Sequence, residues 1–293
     1  MNIICVYRAS CFSPNMEDND AAIMNAVADR LLAGGHHVRR IHEEQLSDIA
    51  PIIPDMIYTM GRLDHTLDVL QQLEMQGVTV INSSIGIRNC DRKRFTQILM
   101  DEDVPFAESK ILSPLTFTHL PSLLGGVGGR LSPLTSHLSY PVWLKKGEGY
   151  TEVAEDVMFI QNDQELQDGI AQMNHRGIQT VVVSQHLEGD LVKCYGVKDS
   201  QFFYWSYSSK GHSKFGLEAI NGKNHGYPFS EKQLRAICNQ AANVIGVDVY
   251  GADCVIGENG TIHIIDMNDW PSFSCCRNQA AEMIANRYLS QNE

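Results

Sequence analysis

Asn259–Gly260, set between two β-branched runs in the segment GADCVIGENGTIHIIDMNDWPSF (residues 251–273), constrains the fold more than any other feature of the chain. Asn-Gly is the strongest short-range hairpin signal, because a type I′ turn needs positive φ at both central residues. With those two residues as the turn, Glu258 pairs with Thr261. Counting outward then sets Gly257 against Ile262, Val255 against Ile264 and Asp253 against Asp266. Two aspartates thus face each other across an antiparallel pair, with Cβ atoms about 4.5–5.5 Å apart. Like charges in that position are destabilising unless one is protonated or a divalent cation sits between them. Asn268 follows Asp266 by two residues, so strand alternation puts it on the same face. Two carboxylates and an amide oxygen form an all-oxygen set that suits Mg²⁺ held together with substrate phosphates, with Mn²⁺ as a substitute.

The first third of the chain alternates strand and helix. Residues 2–7, 37–41, 55–59 and 78–81 read as short strands, and residues 20–33 and 65–76 as helices stopped by Gly34–Gly35 and Gly77. Short strand–helix–strand connections imply a parallel sheet covered on both faces. A basic-faced helix follows over residues 89–101, then a Pro-, Ser- and Thr-rich loop whose GGVGG segment lacks the G-K-[ST] of a phosphate-binding Walker loop. Later strands are expected over residues 141–145, 180–184, 191–197 and 202–207. Helices are expected over residues 163–173, 231–245 and 278–289. The expected division is 1–85, an N-terminal α/β domain; 86–185, a central subdomain; and 186–293, a C-terminal subdomain carrying the metal site.

Composition excludes several classes. A formal charge of −12 over 293 residues argues against general nucleic-acid binding. The eight cysteines contain no C-x-x-C, so reduced, mostly structural thiols are expected. The N-terminal MNIICVY is too short for a signal peptide, and no run approaches the length of a membrane span. A cytoplasmic protein without membrane association is expected; a homo-oligomer is compatible with the sequence.

Phosphates need cations. Lys145 ends the apolar strand PVWLK, and Lys146 points to the opposite face, so one of the two can enter a cleft. Lys193 lies inside the apolar strand LVKCYGV, where a phosphate or a carboxylate such as Glu188 must satisfy it. Lys93 opens its helix. Gln185, His186, Leu187 and Glu188 form a strand-to-connector crossing whose backbone can face a flat base.

These features come in the order found in the ATP-grasp superfamily, which the chain resembles over residues 55–275. NSSIGIRNCDRKRFTQIL resembles the entry to its central domain, PVWLK the strand of the phosphate lysine, residues 182–188 the adenine hinge, and Asp253 with Asp266-x-Asn268 the paired magnesium ligands. The resemblance implies an α/β ATP-grasp fold, with an open parallel α/β lobe and two α+β lobes sandwiching ATP. It implies that Lys93, Lys145 and Lys193 hold phosphates, with Lys145 and Lys193 catalytic, and that Asp253, Asp266 and Asn268 hold Mg²⁺. The overall plan is similar to the glutathione synthetase and ribosomal-protein glutamate ligase groups, carboxylate–amine ligases that work through an acyl phosphate on a small molecule or peptide. The Asp-x-Asn triplet is closer to the inositol trisphosphate 5/6-kinases, which makes a small-molecule kinase the alternative. The arginine-rich acceptor segment of the ligases has no clean counterpart; Lys210, His212, Lys214 and Lys223 are the candidates to replace it.

Overall fold

The computed structural model describes residues 1–13, 16–49, 53–113, 138–208 and 217–287. Its strands form three four-stranded sheets. The first contains β1 (Asn2–Tyr7), β2 (His37–His42), β3 (Met56–Thr59) and β4 (Thr79–Ile81), in the order β2-β1-β3-β4, all parallel. Helices α1 (Glu17–Ala33) and α2 (Asp64–Met75) are its crossovers. Alternation divides the strand residues between two cores: Ile3, Cys5 and Tyr58 pack with Val27 and Leu31 of α1, while Ile4, Val6 and Ile57 pack with Leu67 and Leu70 of α2. The expected sheet covered on both faces is present.

A separate short helix, α3 (Ser84–Asn89), precedes the helix expected over residues 89–101, which starts later, as α4 (Arg92–Asp101). Asp91 separates them and caps the second: its carboxylate accepts from the Lys93 N–H at 3.2 Å and from the Gly149 N–H at 2.7 Å.

The second sheet contains β5 (Ser109–Leu112), β6 (Val142–Lys146), β7 (Val157–Ile160) and β8 (Val181–Gln185), antiparallel in the order β5-β8-β6-β7. Helix α5 (Asp163–His175) covers one face through Leu166, Ile170 and Met173. The third contains β9 (Asp190–Val197), β10 (Phe203–Tyr207), β11 (Val249–Ile256) and β12 (Ile262–Asp269), antiparallel in the order β10-β9-β11-β12. It is backed by α6 (Glu231–Ile245) and by α4, whose Phe95 and Leu99 share a core with Leu234, Ile237, Cys254 and Ile264. The last helix, α7 (Arg277–Arg287), returns to the first sheet, where Ala280, Ala281 and Ile284 join the α1 face.

The β11–β12 connection departs from the expected two-residue turn. Asn259 does not take positive φ; Gly260 does, at 79°. Gly257 and Thr261 close a three-residue loop, with the Gly257 N–H donating to the Thr261 carbonyl at 2.9 Å and the Gly260 N–H to the Gly257 carbonyl at 2.9 Å. This is a type I turn followed by a left-handed glycine, which moves the register by one residue. Val255 therefore pairs with His263 and Cys254 with Ile264, not Val255 with Ile264. A β-bulge at Ile265 then restores the count, and Asp253 faces Asp266 as expected.

Candidate active site

The bulge does more than repair the register. Strand alternation alone would put Ile264 and Asp266 on one face. The extra residue separates them: Ile262 and Ile264 enter the core under α4 and α6, while Asp266 and Asn268 line a cleft between the second and third sheets. On β11 and β9 the cleft face carries Gly251, Asp253 and Val255 opposite Tyr195, Lys193 and Leu191. Asp253 thus lies between Asp266 on one neighbouring strand and Lys193 on the other.

The cleft has a volume of about 470 Å³. One end is apolar and flat-sided, lined by Trp143, Val157, Leu191, Val255 and Ile265, with Gln185, His186 and Leu187 at its edge. The Trp143 indole N–H donates to His186 Nδ1 at 3.1 Å, and the Gln185 amide holds the Ser139 carbonyl at 2.8 Å, so this edge is braced. Burial lowers the His186 pKa, against the pull of Glu188, which favours the neutral ring that this hydrogen bond requires. Glu188 itself is not among the residues lining the cleft.

The middle is ionic. Lys145 reaches across from the second sheet and donates to the Ile265 carbonyl at 3.3 Å, an acceptor at the bulge. Burial first, and Arg92 second, push the Lys145 ammonium down to about 8, while Asp266 and Asp253 pull the other way. Lys146, on the other face, pairs instead with Glu152 at 2.9 Å. Lys93 is not brought into the cleft; its ammonium pairs with Glu148 at 3.1 Å near the surface. Arg92 is there instead, donating to the Lys146 carbonyl at 2.8 Å and lying 3.8 Å from Asp266. The cap at Asp91 sets this choice, because it fixes which residue of the first helical turn points inward. Asp91 inside the run NCDRKR was the signal for it.

The third end belongs to the first lobe. Arg62 grips Asp269 in a fork at 2.6 and 3.2 Å, and Arg8 donates to the Trp270 carbonyl at 3.1 Å and to Asp20 at 3.1 Å. The Arg62 guanidinium lies over the Tyr150 ring, 4.4 Å from its centroid. Burial works against the Arg62 charge, but Asp269 and Tyr150 together outweigh it and raise its pKa; Arg8 is lowered, by burial and then by Arg62. Neither arginine was singled out from the sequence, since only the fold joins positions this far apart. Lys223 is exposed and outside the cleft, and Lys210, His212 and Lys214 lie outside the described residues.

The middle of the cleft fits a magnesium polyphosphate. Its donor set toward a metal, Asp253, Asp266 and Asn268, is all oxygen. Its cations, Lys145, Lys193 and Arg92, outnumber its two carboxylates, and Arg92 Nε is buried with no hydrogen-bond partner. A hard cation with an anion satisfies both halves.

Three sheets in this arrangement define the ATP-grasp fold, and solved structures of that fold superpose along the whole chain. The RimK domain ATP-grasp protein of Sphaerobacter thermophilus has a TM-score of 0.66 at 14% identity, covering 98% of both chains. The D-alanine–D-alanine ligase of Bacillus anthracis, solved with ATP, has a TM-score of 0.62 at 12% identity, covering 100% of this chain and 99% of that one. Among curated proteins, human N-acetylaspartylglutamate synthase A is 23% identical over 268 residues. The match covers 85% of this chain and 61% of the relative, so the chain spans about three fifths of the relative's length. No protein-family profile matches the chain.

Proposed function

We propose that the chain is an ATP- and Mg²⁺-dependent, ADP-forming ligase that joins a carboxylate on a small molecule or peptide to an amine. The observation that supports it most is the oxygen trio Asp253, Asp266 and Asn268 ringed by Lys145, Lys193 and Arg92 in one cleft. In this reading the braced edge at Gln185–Leu187 receives the adenine, and the three cations hold phosphate oxygens. Asp253, Asp266 and Asn268 would hold magnesium, which would supply neutralisation of the phosphate charge. The protein residues work by positioning: Lys145 bridges the two sheets, and Lys193 and Asp253 hold each other's place across β9 and β11. ATP activates the acceptor carboxylate as an acyl phosphate, which the amine attacks with release of phosphate. The proposed units 1–85, 86–185 and 186–293 each carry one sheet. Eight free cysteines suit a reducing compartment, so we place the enzyme in the cytoplasm. No described helix is long and apolar enough to cross a membrane.

The test is ADP and phosphate release with MgATP across a panel of acyl amino acids, peptides and inositol phosphates, with and without free amino acids, read by product mass. A ligase gives phosphate and a product of acceptor plus amine less water; hydroxylamine in place of the amine yields a hydroxamate. Phosphate retained on a hydroxyl product replaces this reading with the kinase. No binding of any purine nucleotide overturns both.

A further inference from the structure

The sequence spacing of the cysteines points to no metal, yet the fold gathers three of them. Cys194 on β9, Cys254 on β11 and Cys238 on α6 bring their sulfurs within 4.8 Å of one another, and Cys238 Sγ lies 3.8 Å from Cys254 Sγ. All three are buried, at 1%, 0% and 0% exposure. Cys194 and Cys254 directly follow Lys193 and Asp253, so alternation directs them to the opposite face of the sheet, toward α6. The proposed ligase chemistry uses none of them.

We propose that this cluster is a site for one soft, monovalent, thiophilic cation that accepts three-coordination, with Cu(I) as its biological member. Geometry carries the assignment. Three thiolates bound at about 2.3 Å around a trigonal centre stand about 4.0 Å apart. The observed spacing brackets that distance, so binding needs sulfur movements of well under an ångström. β9 and β11 are the two central strands of their sheet and pair over eight residues, which holds two of the ligands in place. Chemistry selects the ion. Thiolate ligands favour Cu(I) and zinc over hard cations. Zinc takes a fourth ligand, and among the described residues no histidine, carboxylate or fourth cysteine joins the group. The three share a buried core with Val192, Ala241, Ala242 and Ile256, none of which offers a donor atom, and the neighbouring Tyr250 hydroxyl donates to Asn239 at 2.6 Å. Each sulfur that binds as thiolate gives up one proton to solvent, and no electron is transferred. Occupancy ties α6 to the two strands whose next residues on the other face are Lys193 and Asp253.

The test uses the reduced, full-length protein under anaerobic conditions, with Cu(I) supplied from a coloured Cu(I) chelator, both to the folded chain and during refolding. To remove competing surface thiols, it is run in parallel on a Cys11→Ser/Cys275→Ser variant, since those two are exposed. We expect one Cu(I) withdrawn per chain in both proteins, three sulfur scatterers at about 2.3 Å by X-ray absorption, and a raised Tm. Cys238→Ala should abolish retention while keeping the far-ultraviolet spectrum of the apo protein. Where that variant fails to fold, Cys254→Val serves the same purpose. The proposal is overturned by copper retained in the Cys238 or Cys254 variant, by loss of copper in the Cys11/Cys275 variant, by two-sulfur coordination, or by no copper retained after either route of loading.

Discussion

Lys145 holds a charge in a place that disfavours it until an anion arrives. Its ammonium is pushed down to about 8, so between that value and the ordinary lysine range the unfolded chain binds the proton more tightly. In that window the folded state gains stability from this group as pH rises; below about 8 both states are charged and the slope vanishes. A polyphosphate reverses the bias, because it favours the ammonium. Nucleotide affinity is therefore expected to be flat below about pH 8 and to weaken above it, by at most about tenfold per unit for one proton. Calorimetric titration across that range checks this. Lys145→Arg, charged throughout, should remove the inflection, and an unchanged inflection would assign it to another group. Asp266 carries the complementary expectation. Asp266→Asn leaves one of two facing carboxylates to neutralise a metal and should abolish turnover. A fully active Asp266→Asn enzyme would remove this residue from the metal site.

At the scale of elements, the β11–β12 hairpin shows how a sequence can be right about a pair and wrong about the path. Asn-Gly correctly marked a hairpin, and Asp253 does face Asp266. The turn, however, holds three residues, and the bulge at Ile265 offsets it. The longer turn leaves no mark in the alternation of side chains, whereas the bulge does, since the core positions pass from Ile262 and Ile264 to Met267 across it. The strands and helices of the first lobe were legible because their periodicity and glycine stops are local. Arg92 was not, since its inward direction depends on a cap that starts the helix later than expected. Asp190, at the start of β9, was also invisible as an anchor. It is buried and accepts from the N–H groups of His225, Gly226 and Tyr227 at 2.5, 2.8 and 2.8 Å. Burial alone would raise its pKa, but those three donors outweigh it and hold the carboxyl below its ordinary range. Its stabilisation is therefore complete above the ordinary carboxylate range and lost as pH falls through the lowered value. Asp190→Asn should cost about 1–3 kcal/mol at neutral pH, and the difference from wild type should shrink in acid. Urea unfolding at a series of pH values measures both, and a gap that widens in acid would contradict the assignment.

Across the whole molecule, the lobes are joined by ions as well as by chain. Arg62 and Asp269 are 7% and 1% exposed at the side chain and bind in a fork, so the first lobe holds the end of β12. This clamp could not be read from the sequence, because its partners stand 207 positions apart. Without the fork, buried Asp269 keeps only the longer 3.6 Å contact with Arg8, so Arg62→Met should cost about 3–5 kcal/mol. The double variant Arg62→Met/Asp269→Leu should recover most of that loss. Equilibrium unfolding of the four proteins in the cycle decides it, and additive losses would mean that the pair does not act as a unit.

The return of α7 to the first sheet has a consequence in time. Synthesis delivers β1 to β4 first, yet one face of their sheet shares its core with Trp270, Phe273, Ala280, Ala281 and Ile284. On the ribosome that face has α1 on it, gains Val197 and Val249 only with the third sheet, and stays incomplete until residues 270–287 emerge. Of the three sheets the first to be made is thus the last to be finished, and its greasy side stays open while the second sheet is translated. A nascent chain halted before α7 should bind a trigger-type chaperone or a hydrophobic dye that the released protein ignores.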